Sequence, residues 1–358
     1  MSTGIPKTQR AFVLPEKAGK FVLQTIEVPK PGEGEVLIRI ESTGLNPLDA
    51  KMQDYGLLLE KYPVIIGFDL AGVVVELGKD VQNLVVGDRV AVEAAAMDDR
   101  YTAYQQYAVS PADLAFKVPK NISFDEAATL PVGFATALAG LYGDFTPDQE
   151  RYGAGLTPFW REGGRTKYNG EPIAILSAAS SVGQYAVQFA RLSGFSPIIA
   201  TASLHNTELL KSIGATHVID RTLPIPQNTE EVRKITSKPF KVVYDAVGLP
   251  HTQESGFEIL APGGTLLTTL PSGIDKAKAA AEKKNLSFVF GQLSVPPYRQ
   301  LAHESSPIVP KLLESGELKT NIPEYIPGGL LGIPEGLERF RQNKVSGRKL
   351  VVRPPETK

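Results

Sequence analysis

The 358-residue chain has no cysteine, one tryptophan, three methionines and four histidines. Without a thiol there can be no disulfide, no thiolate nucleophile and no cysteine ligand for zinc. The histidines, at 205, 217, 251 and 303, show no metal-ligand spacing. No serine sits on a Gly-x-Ser-x-Gly elbow, which removes one familiar hydrolase arrangement. A formal net charge of −1 provides no global field for nucleic acid or an anionic membrane. No apolar run approaches the roughly 20 residues of a membrane span, and the N-terminal stretch lacks the apolar core of a secretion signal. The expectation is a cytoplasmic protein with neither nucleic acid nor membrane as partner.

What the chain does have is enough apolar material, 42% of residues, for two domains with their own cores. One stretch organises it, from Ile173 to Gly194. A short apolar run (Ile173 to Leu176) is followed by small residues (Ser177, Ala178, Ala179, Ser180, Ser181). Then Val182, Tyr185, Ala186, Phe189 and Ala190 fall at helical spacing, and Gly194 stands where a helix-ending glycine is expected. A strand, a tight turn and a helix in that order aim unpaired N–H groups and the positive end of the helix dipole at one place, which suits a phosphate. Gly183 lets the helix pack tightly on the sheet. The first two glycines of the full dinucleotide fingerprint are replaced by alanine and serine. Taken alone, the segment also fits an ordinary strand-to-helix connection.

The surroundings extend the pattern. Residues before about 120 read as short strands: Ala11–Leu14, Phe21–Ile26, Val36–Ile40, two strands across Pro63–Val75, and Val90–Val92. A short helix is expected from Leu48 to Leu59, and a longer one from Phe124 to Tyr142 with a break at Pro131. Gly143 to Glu171 is too long for an ordinary connection and reads as a surface insertion or a lid. From 172 strands alternate with helices: strands at 172–177, 197–202, 216–220, 241–245 and 264–269, helices at 182–193, 206–213 and 252–260. That order implies a parallel sheet covered on both faces. A final helix (334–342) and strand (349–353) suggest a return to the first domain.

At the end of the second strand of such a sheet, an acid would hold a ribose 2′-hydroxyl and repel a 2′-phosphate. Here the segment is Ser203-Leu204-His205-Asn206, without an acid, and Arg221 follows the next strand. Ser203 and Asn206 as donors, with Arg221 as a cation, favour NADPH. The alternative is that Ser203 and Asn206 cap the next helix and that Arg221 is an ordinary surface charge.

Gly67-Phe68-Asp69-Leu70-Ala71-Gly72, Gly87-Asp88-Arg89-Val90 and the Ala-Ala-Ser-Ser-Val-Gly turn, behind a β-rich first half, resemble the medium-chain dehydrogenase/reductase superfamily along nearly the whole chain. The resemblance implies a GroES-like β-barrel catalytic domain (1–130, completed by 310–358) and a doubly wound Rossmann domain (131–309), with the cofactor in the cleft between them. Zinc alcohol dehydrogenases carry Gly-His-Glu where this chain has Gly67-Phe68-Asp69, and a cysteine ligand near Gly44 to Pro47. The departures imply that zinc is not held, and the resemblance narrows to the zinc-independent branch of quinone oxidoreductases and fungal stand-alone trans-enoyl reductases. By that likeness Asn46, Pro47 and Asp49 lie beside the nicotinamide. Ser180, Ser181, Val182 and Gly183 bind the pyrophosphate, and Ser203, His205, Asn206 and Arg221 the 2′-phosphate. Leu270, Pro271, Val345 and Ser346 complete the cofactor contacts, while Phe134, Thr136 and Leu141 belong to a substrate-channel helix.

The chemistry implied is hydride delivery from NADPH to the β-carbon of an enoyl, enal or enone substrate, without a Lewis acid on its oxygen. The enolate then needs a proton, for which Lys51 and Tyr55 are the candidate donors beside water. The alternative for both is structural, with Tyr55 packing and Lys51 paired with Asp49 or a carbonyl. Quinone or aldehyde reduction, reduction of a polyketide carried on a synthase carrier domain, and a non-catalytic NADPH-binding role remain as other readings. The chain is expected to be a monomer or homodimer.

Overall fold

The computed structural model describes residues 4–95, 98–144 and 153–358. They form two compact units, one of Met1–Val132 with Ala302–Lys358, the other of Gly133–Leu301.

In the first unit Thr8–Leu14 pairs antiparallel with Val22–Glu27 and with Val64–Ile65. A larger sheet runs in the order Ile322–Tyr325, Arg348–Val352, Glu35–Gly44, Asp69–Leu77, Arg89–Glu93, Phe116–Lys117, with Tyr107–Pro111 also on Glu35–Gly44. The register of Glu35–Gly44 against Asp69–Leu77 shifts at Leu37/Ile38 and again at Ile40/Ser42. Such bulges bend a strand and tighten its twist. Past them, Gly44 pairs with both Asp69 and Val351. That register brings Asn46, Asp69 and Lys349 to one place.

In the second unit six parallel strands run in the order His217–Asp220, Ile198–Ala202, Ile173–Leu176, Phe240–Asp245, Leu260–Thr268, Asn285–Phe288. Ile173–Leu176 and Ile198–Ala202 are buried at every position, as expected of parallel strands covered on both faces. The chain leaves Ile173–Leu176 first to one side and later to the other, so this strand marks the topological switch point where such sheets bind ligands.

The expected elements have counterparts, with three instructive differences. The first helix is Pro47–Tyr55 rather than 48–59, because Gly56 (φ 68°) adopts the left-handed conformation and closes it. The Phe124–Tyr142 pattern breaks at Pro131 as expected, into Phe124–Ala127 and Pro131–Tyr142. Helix Ile225–Ile235 carries too few apolar residues to declare a period and was not anticipated, and neither was the sixth strand, Asn285–Phe288. Of the 143–171 segment, 145–152 lie outside the described residues. Beyond them Phe159 is buried against Tyr142 and Phe189, and Tyr168 stacks on Phe195 at 4.7 Å, which anchors this part to the second unit. Among the described residues no helix is long and apolar enough to cross a membrane.

Candidate functional site

The turn at the switch point is built by its own backbone. Ser177 sits at φ 55°, and its N–H donates to Thr201 Oγ1 (3.0 Å). Ala178 N–H donates to Thr201 O (2.9 Å), tying the turn to the neighbouring strand. Ser180 caps helix Ser181–Leu192, its Oγ accepting from Gly183 N–H at 3.1 Å. A Cβ on Gly183 would lie 2.6 Å from Ala178 Cα, so glycine alone lets the helix start this close to the turn. No side chain from Ser177 to Ser181 is longer than serine. Ser181 faces Gly133 on helix Pro131–Tyr142, and Val182 is half-buried. The turn has the shape and donors for a diphosphate.

At the next strand end, Arg221 Nε donates to Ser203 Oγ (2.8 Å), and Arg221 N–H to Ala202 O (3.0 Å). The guanidinium is thereby held at the surface over Ser203. Asn206 is buried, with Nδ2 3.2 Å from His205 Nε2. Neither Ser203 nor Asn206 makes a side-chain cap. Asp220, the acid nearest by, accepts from Thr222 N–H and Oγ1 (both 2.9 Å).

Leu270 and Pro271 follow strand Leu260–Thr268 and are held by groups that sequence patterning missed. Asp245 accepts from Val247 N–H, Gly248 N–H and Thr252 Oγ1 (3.1, 2.9 and 2.6 Å). Gln253 Nε2 donates to Gly248 O and Pro271 O (2.8 and 3.2 Å), and its Oε1 accepts from Gly273 N–H (2.7 Å). Phe134 and Leu141 are buried, Phe134 edge-on to Tyr185 and Phe189 at 6.1 and 5.1 Å. Thr136 gives its carbonyl to Tyr244 OH (2.8 Å), with its side chain beside Gly291. A surface groove of about 580 Å³ between helices Ile225–Ile235 and Pro250–Ile259 holds none of the expected residues, and its charges are mixed (Arg233, Lys278, Glu254, Glu258, Asp275).

The first unit contains a buried polar centre. Lys349 Nζ lies 2.7 Å from Asp69 Oδ2 and donates to Asn46 Oδ1 at 2.6 Å; Asn46 Nδ2 donates to the same Asp69 oxygen at 2.8 Å. Lys349 is 3% exposed and Asp69 0%. Asp69 Oδ1 accepts from Val132 N–H at 2.6 Å. Beside them Asp49 Oδ2 accepts from Asn46 N–H (2.7 Å) and Tyr104 OH (2.8 Å), while its Oδ1 has no partner. Burial pushes Asp49 up to about 7, with Asp69 adding to the rise; Tyr104, the Asn46 N–H and Lys349 act in the opposite direction. Gly67, at φ 99°, leaves room for the Tyr104 ring, which a Cβ would strike. Nothing in the sequence marked Asp69, Tyr104 and Lys349 as partners in one centre, because they join it from segments remote in the chain.

Asn46, Pro47, Asp49, Lys51 and Tyr55 therefore share one helix and its cap. Lys51 is half-buried, with no hydrogen-bond or ion-pair partner among the described residues, and burial lowers its pKa. Asp49 is committed elsewhere. Tyr55 is 70% exposed at the helix end. Val345 packs against the unit's core and Ser346 is exposed.

These residues do not fit a zinc ion. Asn46 is an amide already engaged at both ends, Phe68 belongs to the apolar core, and Asp69 is neutralised by Lys349. Among the described residues no three of His, Cys, Asp or Glu are grouped to hold a metal. The short side chains and the open helix N-terminus of the Ser177–Gly183 turn are compatible with the diphosphate of a nicotinamide dinucleotide.

Comparison with known proteins places this geometry. The model of the alcohol dehydrogenase GroES-like domain matches residues 32–120, and that of the zinc-binding dehydrogenase matches 181–295. A dehydrogenase of Emericella nidulans is 31% identical, with 96% of this chain and 99% of that protein covered. A trans-enoyl reductase of Gibberella fujikuroi is 30% identical (96% and 98% covered), and another from Penicillium crustosum 28% (97% of each). The crystal structure of an alcohol dehydrogenase superfamily protein from Novosphingobium aromaticivorans superposes with a TM-score of 0.77 at 26% identity, covering 96% of this chain and 99% of that one. A GroES-like unit, a six-stranded parallel sheet with a turn of small residues at its switch point, and relatives along the full length agree: the chain belongs to the medium-chain dehydrogenase/reductase family of oxidoreductases.

Proposed function

We propose that the protein is an NADPH-dependent reductase of carbon–carbon double bonds conjugated to a carbonyl, with Lys51 supplying the proton. The observation that carries this is the Lys51 ammonium, half-buried and without a counter-ion among the described residues. A lysine whose pKa is lowered by burial is a better acid than one in water. Ser177 to Gly183 would hold the diphosphate, and Ser203 with Arg221 a 2′-phosphate. A bound NADPH supplies hydride to the β-carbon. Lys51 Nζ holds a proton for the enolate and places positive charge near its oxygen, an electrostatic contribution that needs no metal. The trans-enoyl reductases among the relatives support this substrate class, and the donor set around Asn46 and Asp69 supports a reaction without zinc.

A screen of enals, enones and quinones with NADPH tests the reading. Reduction of enals or enones, lost in Lys51→Met, is expected. Turnover of quinones alone would replace the substrate class, and turnover only of carrier-tethered substrates would make the enzyme partner-dependent. NADPH should bind at least roughly tenfold tighter than NADH, about 1.4 kcal/mol. Arg221→Ala should narrow that gap by about 1–2 kcal/mol, the scale of a charged hydrogen bond. Equal affinity for the two cofactors would remove the 2′-phosphate assignment.

A further inference from the structure

Lys349 is an unusual choice for its position. A fully buried ion pair is often no more stable than apolar residues of similar volume, yet here an ammonium is enclosed at 3% exposure among core side chains. Its geometry suggests what it does. Lys349, Asn46 and Asp69 close a ring of three contacts, at 2.6, 2.7 and 2.8 Å. An amide has two unlike ends, and the ring distinguishes them: the carbonyl faces the ammonium and the NH2 faces the carboxylate. Turned over, the amide would set NH2 against NH3+ and C=O against COO−. The charges therefore determine which way Asn46 points.

Asn46 is also the cap of helix Pro47–Tyr55. Its N–H donates to Asp49 Oδ2, and its carbonyl accepts from Asp49 N–H at 3.0 Å. The side chain held by Lys349 and Asp69 thus belongs to the residue whose backbone groups start the first helical turn, one turn before Lys51. The far end of the helix is fastened separately, by Arg341 on Asp54 (2.9 and 2.7 Å) and on Gln53 (2.8 Å). Lys349 is the clamp of the near end.

We infer that Lys349 is a positioning residue of the reductase: by fixing the Asn46 amide against Asp69 it sets the start of helix Pro47–Tyr55, and with it the place from which Lys51 presents its proton. This rests on the role given to Lys51 above.

The test uses the full-length enzyme, with NADPH and whichever enal or enone the screen finds, and compares Lys349→Met, Lys349→Arg, the double variant Lys349→Met/Asp69→Asn, and Lys51→Met. The double variant removes both buried charges, so its folding is protected where the single Met variant may not fold. Expected are a melting temperature near wild type for the double variant, and a kcat lowered roughly tenfold or more, since small displacements at a reacting group are costly. The substrate KM should change little. Lys349→Arg, which keeps a donating cation, should regain several-fold in kcat over the Met variants. A double variant with native stability and full kcat would overturn the inference, showing that Lys349 only neutralises Asp69. So would an arginine variant as slow as the Met variants. If Lys51→Met abolishes reduction while the double variant stays fast, the positioning role alone falls. If Lys51→Met is fully active, the role of Lys51 falls and the inference falls with it.

Discussion

The two polar centres of this molecule are assembled in opposite ways. The turn at Ser177–Gly183 is local: a strand, a few small residues and a helix cap within one short stretch, completed by Thr201 of the adjoining strand. The centre around Asp69 is global. Asn46 and Lys349 meet across 303 residues of sequence, Asn46 and Asp69 across 23, Asp49 and Tyr104 across 55. One is made of backbone N–H groups and small side chains, the other of buried charge. The lesson is that a site for a phosphate can be supplied by secondary structure alone, whereas an enclosed network of carboxylates and an ammonium requires the completed fold.

That contrast can be broken or sharpened by measurement. Removing charge from the global centre should cost most. Lys349→Met leaves Asp69 buried without its cation, and should lower stability by about 3–5 kcal/mol in urea unfolding; a loss under about 1 kcal/mol would mean that water or another cation reaches Asp69.

Asp49 comes next. Both of its hydrogen-bond donors lie on Oδ2, leaving Oδ1 as the atom to carry a proton. The ionisable groups facing it are Tyr104, Asp69 and Lys349, and the Lys349 ammonium sits on Asp69. Burial raises its pKa in the folded state to about 7 from an ordinary 3.8. The folded protein therefore holds this proton more tightly than the unfolded chain does. The resulting stability is fully present below about pH 4 and is lost as pH rises towards 7, at most about 4 kcal/mol across that window. Asp49→Asn imitates the neutral acid and should remove this component, so the variant is expected to gain on wild type as pH rises from 5 to 8. Parallel stability–pH curves for the two would place Asp49 among ordinary ionised carboxylates.

The local centre should respond least. Ser180→Ala removes one cap and should cost about 1 kcal/mol of stability, as helix caps generally do. Dinucleotide affinity should fall only modestly, because the backbone donors stay in place. A complete loss of binding would mean that the Ser180 hydroxyl itself holds the ligand.

The same contrast explains what was legible in the sequence. Apolar runs such as Ile173–Leu176 and Ile198–Ala202, the glycine Gly194 after a helix, and the break at Pro131 act within a few residues, and each has its counterpart in the fold; Gly56 acts as locally, but its role as a helix end was missed. The strand, small-residue turn and helix of 173–194 were legible for that reason, whereas the cap that Ser180 makes on Gly183 N–H was not read from the sequence. Helix Ile225–Ile235 was not, since a mostly polar helix that buries only Asn228, Thr229 and Val232 has no apolar period to read. Asp69 drew notice as part of a phrase, Lys349 only as the start of a strand, and Tyr104 not at all. Their meaning comes from partners that spacing cannot supply. For Lys51 the sequence left pairing with Asp49 open; in the fold Asp49 is engaged by Asn46 and Tyr104.

One further consequence follows from strand Arg348–Val352, which lies between Ile322–Tyr325 and Glu35–Gly44 in the first unit's sheet. A ribosome makes Glu35–Gly44 early and Arg348–Val352 only after all of Gly133–Leu301 has been made. The nascent GroES-like half must therefore wait, with Thr43 and Gly44 unpaired on that side and Asp69 without Lys349, while all of the second unit has already been made. We expect chains arrested near residue 320 to show protease protection over 133–301 before 4–132. Equal protection of the two halves at that point would show that the early half can close without its last strand.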